Sequence, residues 1–232
     1  MNKVIEALIR IISNIFNKQQ NNNINNKQEA PKPIEQKKEI KKIGLTEEDY
    51  NLAAKTLNCD VEAIKAFAKV ESRGSGFLTD GRPTILFERH IFNKFLKQKG
   101  IQCNDTSICS TRTGGYLGGS KEHDRLEKAV KIDREAALQS ASWGMFQVMA
   151  FNWKLCGYTS LQDFINAAHR SEADHLNMFV GFIKANRTLL EAVRNKNWDI
   201  AARIYNGPGY KKNSYDVKLA RAYDEELSRG TT

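Results

Sequence analysis

Glu71 is the residue of this chain whose type and position most clearly suggest chemistry. It lies in the stretch AIKAFAKVESRGSGF, where Ile64, Phe67 and Ala68 recur at helical spacing. The next position of that apolar stripe is Glu71, so its carboxylate points where core side chains pack. Apolar neighbours and the negative C-terminal end of a helix disfavour the ionised form. We therefore expect a raised pKa, which suits a general acid working near neutral pH.

A purely structural role for Glu71 is the alternative. An ion pair with a neighbouring arginine would hold the carboxylate without any chemistry, and the candidate partners are Arg73, Arg82 and Arg89. The position of Glu71 alone does not decide between the two roles.

Hydroxyl and amide side chains beside aromatic residues form two further motifs. SASWGMFQVM, residues 140–149, places Ser142 and Gln147 among large apolar groups. ARIYNGPGY, residues 202–210, ends a predicted helix in Tyr-Asn-Gly. Such residues suit a groove that hydrogen-bonds acetamido and hydroxyl groups while aromatic rings stack on sugar faces.

These motifs, in this order, carry a family resemblance. Glu-Ser at a helix end, then Ser-x-Gly-x-x-Gln, then Tyr-Asn-x-Gly resembles the lysozyme-like superfamily, which includes goose-type lysozymes and lytic transglycosylases. More closely, VESRGSGFLTDGRPTILFERHIF, SASWGMFQVMAFNW and ARIYNGPGY resemble the phage endolysin N-acetylmuramidase family, which cleaves bacterial peptidoglycan. The resemblance covers about residues 46–210.

The resemblance implies a fold and a set of site residues. The fold would be mainly α: a lysozyme-like α+β domain with a small β-hairpin. Glu71 would be the catalytic acid, and four residues would line the substrate cleft: Ser142, Gln147, Tyr205 and Asn206.

A second carboxylate is predicted from strand alternation. If TILFERH is a strand, then Leu86, Glu88 and His90 share one face. Glu88 is therefore the candidate for the second catalytic group, and His90 is a candidate substrate-binding residue. The alternatives are a salt bridge of Glu88 with Arg82, Arg89 or a nearby lysine, and a hydrogen-bonded structural role for His90.

Helix signals dominate from Thr46 onward. Predicted N-caps precede four helices, and they are Thr46, Asp60, Asp133 and Ser171. Later helices are predicted over residues 189–195, 198–205 and 216–228. The exception is GFLTDGRPTILFERH, residues 76–90, where an Asp-Gly turn and β-branched residues predict a small hairpin. The glycine-rich loop at 113–120 is expected to border the sugar groove.

The first 45 residues differ from the rest of the chain. Residues 1–18 predict an amphipathic helix, which would contact an anionic membrane, pair with another helix or dock on its own domain. Residues 19–45, rich in Asn, Gln and Lys, predict a disordered linker. The catalytic domain would then span residues 46–232.

Composition narrows the partners. The formal charge of the chain is +9, and residues 1–45 hold nine Lys/Arg against four Glu, a net charge of +5. The rest of the chain is therefore only mildly basic, and we expect no nucleic acid partner. Four scattered cysteines give neither zinc-site spacing nor a disulfide framework. We expect no metal and no other cofactor. The expected setting is synthesis in the host cytoplasm and action on peptidoglycan in the periplasm or cell wall.

Two other functions compete with a hydrolase. A lytic transglycosylase would employ Glu71 as acid and then base, with a sugar hydroxyl in place of water and an anhydromuramic product. A non-catalytic basic protein that binds the wall or nucleic acid would show salt-sensitive binding without release of sugar.

Overall fold

The computed structural model of the chain describes residues 44–71 and 75–230. The amphipathic helix predicted at 1–18, and all but the end of the linker predicted at 19–45, lie outside these residues.

Short helices make up most of the described chain, and one small sheet accompanies them. The helices are α1 Glu47–Leu57, α2 Val61–Glu71, α3 Arg89–Gln98, α4 Ser120–Val130, α5 Arg134–Gln139, α6 Leu161–Ala168, α7 Glu172–Ala185, α8 Arg187–Arg194, α9 Trp198–Asn206 and α10 Tyr215–Gly230. The strands are β1 Ile85–Phe87, β2 Ala141–Trp143 and β3 Val148–Met149. This mainly α domain with a minor antiparallel sheet confirms the predicted fold class.

Side-chain caps explain where several helices begin. Thr46 Oγ1 accepts a hydrogen bond from Asp49 N, and the Asp49 carboxylate accepts one from Thr46 N, which is a capping box. The caps predicted at Asp133 and Ser171 are also confirmed. Asp60 differs, because its carboxylate accepts hydrogen bonds from other side chains and not from the helix amides that follow it.

The hairpin predicted over residues 76–90 is only partly present. Leu78 N donates to Arg82 O at 2.7 Å, so the chain turns at the predicted place. Strand β1, however, pairs with β2, and β2 pairs with β3, giving a three-stranded antiparallel sheet in the order β1-β2-β3. The small hairpin of this domain is therefore formed by residues 141–149.

The strand predicted over TILFERH is shorter than expected. It ends at Phe87, Glu88 occupies the N-cap position of α3, and His90 lies in the first helical turn. Strand alternation therefore does not relate Glu88 to His90, and that part of the prediction is wrong. The backbone turns helical because Phe92 and Leu96, one turn apart, both reach the core.

The core places α2 at the centre of the domain. Phe67, fully buried on α2, packs against Phe179 of α7 at 5.1 Å and against Tyr205 of α9 at 5.6 Å between ring centroids. Helix α10 also packs along α2. Glu71, the last residue of α2, thus lies at the end of a helix that packs against α7, α9 and α10.

Candidate active site

A cavity of about 650 Å³ is lined both by helices and by the sheet. Five sequence-predicted residues lie on its wall: Glu71, Ser142, Gln147, Tyr205 and Asn206. Its volume is typical of a pocket for a small ligand or for a few units of a polymer. Three distant parts of the sequence therefore meet at one site.

Glu71 is fixed in this cavity by an amide. Asn206 Nδ2 donates to Glu71 Oε1 at 2.9 Å, across 135 positions of sequence. Burial raises the pKa of the Glu71 carboxyl, while the hydrogen bond from Asn206 and the positive charge of Lys218 partly offset that rise. Desolvation is the largest of these effects, so the Glu71 carboxyl group keeps its proton to a higher pH than an ordinary glutamic acid does.

The turn between β2 and β3 forms the sheet side of the wall. Ser142 Oγ donates to Gln147 Oε1 at 2.8 Å, and Gln147 Nε2 donates to Gly144 O at 2.8 Å and to Thr84 O at 3.3 Å. Gln147 itself has a positive φ of 50°, which a non-glycine residue adopts only where its surroundings enforce it. These hydrogen bonds fix the orientation of the amide and hydroxyl groups before any sugar binds.

Tyr205 joins the helices to that turn. Its hydroxyl donates to Phe146 O, and its ring packs edge-on against Phe67 and Phe179. The aromatic cluster therefore locks α9 beside α2, which keeps Asn206 within reach of Glu71.

Glu88 and His90 are not among the residues that line the cavity. The Glu88 carboxylate accepts a hydrogen bond from the Tyr116 hydroxyl at 2.8 Å. His90 Nδ1 is 3.2 Å from Glu88 Oε2 but forms no hydrogen bond. The structure thus brings Glu71 together with the predicted hydroxyl and amide residues, but it does not bring Glu88 or His90 onto the same wall.

A buried ion pair anchors the loop that precedes α4. Glu122, fully buried, accepts hydrogen bonds from the backbone N–H groups of Leu117, Gly118 and Phe87, and from Arg125 Nη1. Burial alone would raise the pKa of Glu122, but these four donors lower it below the ordinary range. Gly118 lies on the cavity wall, so the glycine-rich loop does border the groove, as expected.

Sequence reasoning missed several residues of the wall. Ser75, Phe151 and Tyr215 all line the cavity, and Phe151 is 41% exposed there. Lys218, one turn beyond Tyr215 on α10, is the cation that acts on Glu71. The helix over 216–228 was predicted, but a sequence pattern carries no signal that its first turn faces Glu71, about 145 positions earlier.

Metal sites and membrane spans are absent from the part of the chain that the structure describes. No group of three or more His, Cys, Asp or Glu residues in residues 44–71 and 75–230 is arranged to hold a metal ion. No helix within the same ranges has both the length and the apolar character needed to cross a bilayer.

A helical domain with a minor antiparallel sheet, and a glutamic acid with a raised pKa at a helix end facing a polar cleft, define a lysozyme-like glycoside hydrolase. A sequence model of the Muramidase family, described as N-acetylmuramidase, matches residues 60–226. The chain belongs to the N-acetylmuramidase family and is a hydrolase of peptidoglycan.

One solved structure supports the same conclusion. The endolysin of the Burkholderia phage AP3 is 43% identical, with a TM-score of 0.76 over 81% of this chain and 72% of that chain. No curated protein sequence matches the chain.

Proposed function

We propose that residues 46–232 form the catalytic domain of a phage endolysin that hydrolyses the β-1,4 bond between N-acetylmuramic acid and N-acetylglucosamine. Glu71 is the general acid. The observation that carries this assignment is its setting: among the described residues that line the cavity it is the sole carboxylate, and burial raises its pKa. A carboxyl group that keeps its proton to higher pH than an ordinary glutamic acid can donate that proton to a leaving oxygen.

The chemistry follows from that proton. Glu71 protonates the glycosidic oxygen, the bond to the muramic acid carbon breaks, and an oxocarbenium-like sugar develops in the cleft. The amide of Asn206 then stabilises the carboxylate that Glu71 becomes, because its Nδ2 already donates to Oε1 at 2.9 Å. Water then attacks the sugar carbon, and the proton that it gives up restores the protonated form of Glu71 and completes hydrolysis.

Hydrolysis and lytic transglycosylation differ in the attacking group. A muropeptide released by hydrolysis carries one more water than the 1,6-anhydromuramic product of a transglycosylase. Mass spectrometry of the muropeptides released from purified peptidoglycan tests the proposal directly. We expect the hydrated products, whereas predominant anhydro products would assign the chain to the transglycosylases.

Glu88 is proposed as the second carboxylate. Leu86 and Gly118 both line the cavity. Glu88 comes two positions after Leu86, and its hydrogen-bond partner Tyr116 comes two positions before Gly118. A carboxylate at this edge would assist attack by water on the sugar.

The variant Glu88→Gln is expected to lose activity several tenfold, because the amide cannot act as a base. Activity on peptidoglycan and the melting temperature are measured together. Tyr116→Phe is the matched control, since it removes the hydrogen bond and keeps the carboxylate. A lower melting temperature with full activity in Glu88→Gln would instead make Glu88 structural.

Lys218→Met is expected to change the pH profile. Lys218 lowers the pKa of Glu71, so its removal raises that pKa further. Because the protonated acid is the active form, the alkaline limb of kcat/KM should move to higher pH. Lys212→Met, in an exposed lysine of the same region, is the control and should leave the limb in place. An unchanged limb in Lys218→Met would contradict the influence assigned to Lys218.

The site of action and the N-terminal region complete the proposal. The enzyme is made in the host cytoplasm and reaches peptidoglycan in the periplasm or wall, and residues 1–18 attach it to anionic membrane. Co-sedimentation with anionic liposomes of the full chain and of residues 46–232 tests the attachment. Equal sedimentation of the two would remove the membrane role.

A further inference from the structure

Glu172 and His175, one turn apart at the start of α7, lie directly behind the cavity wall. Glu172 is 3% exposed and His175 is 1% exposed. Resting on the general-acid role of Glu71, we propose that Glu172 and His175 are positioning residues. They hold in place two wall segments beside Glu71, residues 75–76 and residues 144–145, and His175 does so only as the neutral imidazole.

The hydrogen bonds of His175 determine its tautomer. Nε2 lies 2.7 Å from Ala168 O, which can only accept, so Nε2 carries the proton. Nδ1 then accepts the N–H of Met145 at 3.2 Å. Both ring nitrogens are satisfied in this neutral form, and Met145 lies on the cavity wall.

Both wall segments pack closely against the ring of His175. A Cβ added to Gly76 would lie 2.4 Å from His175 Nδ1, and one added to Gly144 would lie 2.5 Å from the ring carbons Cγ and Cδ2. The Phe77 ring stacks on the imidazole of His175, with 4.9 Å between the ring centroids. His175 therefore contacts both segments at distances that leave no room for displacement.

Glu172 fastens the first of these segments. Its Oε1 accepts the Gly76 N–H at 2.6 Å and the Ser75 hydroxyl at 3.1 Å. Ser75 follows Glu71 by four positions and lies on the same cavity wall. The carboxylate thus holds the chain four and five positions beyond Glu71, the last residue of α2.

The two clamped segments are also joined to each other. Thr84 N donates to Gly76 O at 2.8 Å, and Gly144 N donates to Thr84 O at 2.8 Å. Gln147 donates to Thr84 O and Gly144 O as well. A displacement at His175 would therefore reach the whole sheet side of the cleft, and an error of about 1 Å there can lower a rate about 100-fold.

Protonation of His175 would break this arrangement. A second proton on Nδ1 would face the Met145 N–H, so one hydrogen bond would be lost and two donors would oppose each other in a buried site. The charged groups near the ring are Glu172 and Asp174 on its own helix and His169 at the end of α6. Burial, with a smaller contribution of the same sign from His169, outweighs the hydrogen bond to Ala168 O and the two carboxylates and lowers the pKa of His175. Activity should therefore fall on the acid side when this ring titrates.

The test measures kcat and KM against pH on soluble glycan fragments for the full chain and its variants. His175→Asn keeps an acceptor for the Met145 N–H but cannot titrate, so the acid limb of kcat should move to lower pH while KM stays the same. His175→Ala should lower kcat at every pH, on the order of 10- to 100-fold. His123→Asn is the control, because His123 is also buried with a lowered pKa, but its Nε2 hydrogen-bonds to Pro83 O and not to a backbone group of the turn between β2 and β3.

A second measurement does not depend on the variants folding. Nitrogen NMR of histidines in the unaltered protein should show His175 as the neutral Nε2–H tautomer, titrating together with the acid limb. An acid limb that stays in place in His175→Asn, or a His175 that protonates while activity is full, would overturn the proposal. A shift of the limb in His123→Asn would do the same. An unaltered enzyme that releases no saccharide would instead overturn the proposed function, while the NMR result would still stand.

Discussion

Glu71→Gln is expected to lose roughly 100- to 10,000-fold of its lytic activity, the range that a general acid usually contributes. The amide has almost the same shape as the carboxyl group, and it still accepts the hydrogen bond from Asn206. It cannot donate a proton to the glycosidic oxygen. Clearing of a peptidoglycan suspension by the purified variant, compared with the unaltered chain, measures the effect.

The stability of the same variant separates folding from catalysis. Because burial raises the pKa of Glu71 in the folded protein, its stabilising contribution is fully present at low pH and is lost as the pH rises through the folded pKa. The uncharged amide escapes that loss, so Glu71→Gln should melt no lower than the unaltered chain at neutral pH. Glu62→Gln, on the first turn of the same helix, is the control and should keep full activity. A folded Glu71→Gln that clears peptidoglycan at the original rate would contradict the assignment.

Arg125→Met is expected to be the most destabilising of the substitutions considered. It leaves Glu122 buried without its countercharge, and breaking a buried ion pair in this way costs about 3–5 kcal/mol. The lost hydrogen bonds include those from Arg125 to Phe87 O and Ser107 O. Urea or thermal unfolding of the variant measures the change.

An exposed ion pair supplies the comparison for Arg125→Met. Arg221, whose side chain is 81% exposed, pairs with Glu225 one turn along α10. Arg221→Met should change the free energy of unfolding by less than about 1 kcal/mol. Equal losses for the two variants would mean that the Glu122–Arg125 pair contributes no more than a surface contact.

Local signals in the sequence predicted local structure well. The capping box of Thr46 and Asp49, and the caps at Asp133 and Ser171, depend on residues only a few positions apart, so they are readable from the chain itself. The direction of Glu71 followed from a helical stripe of the same kind. These features need no knowledge of the rest of the fold.

Pairings between distant residues were beyond such reasoning. An Asp-Gly turn suggested that β1 would pair with its immediate neighbour, yet β1 pairs with residues 141–143. A three-residue strand is too short to show its own periodicity. Helices α3, α4 and α6 were also missed, and the strand interpretation of TILFERH hid the start of α3.

The candidate site shows the same division. Five residues that the resemblance and the spacing suggested line one cavity in the structure: Glu71, Ser142, Gln147, Tyr205 and Asn206. The strand argument for Glu88 did not, because the strand ends at Phe87. Lys218 and Tyr215 act on the cavity only through the packing of α10 on α2, which no short motif encodes.

The packing of α10 along α2 also has a consequence for the timing of synthesis. The helix that carries the acid meets this partner, and the amide of Asn206, only after nearly the whole described chain has been made. Because domains fold once their distant segments can meet, the cleft cannot assemble on a nascent chain that still lacks α10. Translation would therefore keep the lytic activity silent until α10 has been made. Ribosome-arrested chains of increasing length should show saccharide release only after α10 has emerged, and release from chains ending before residue 215 would refute this order.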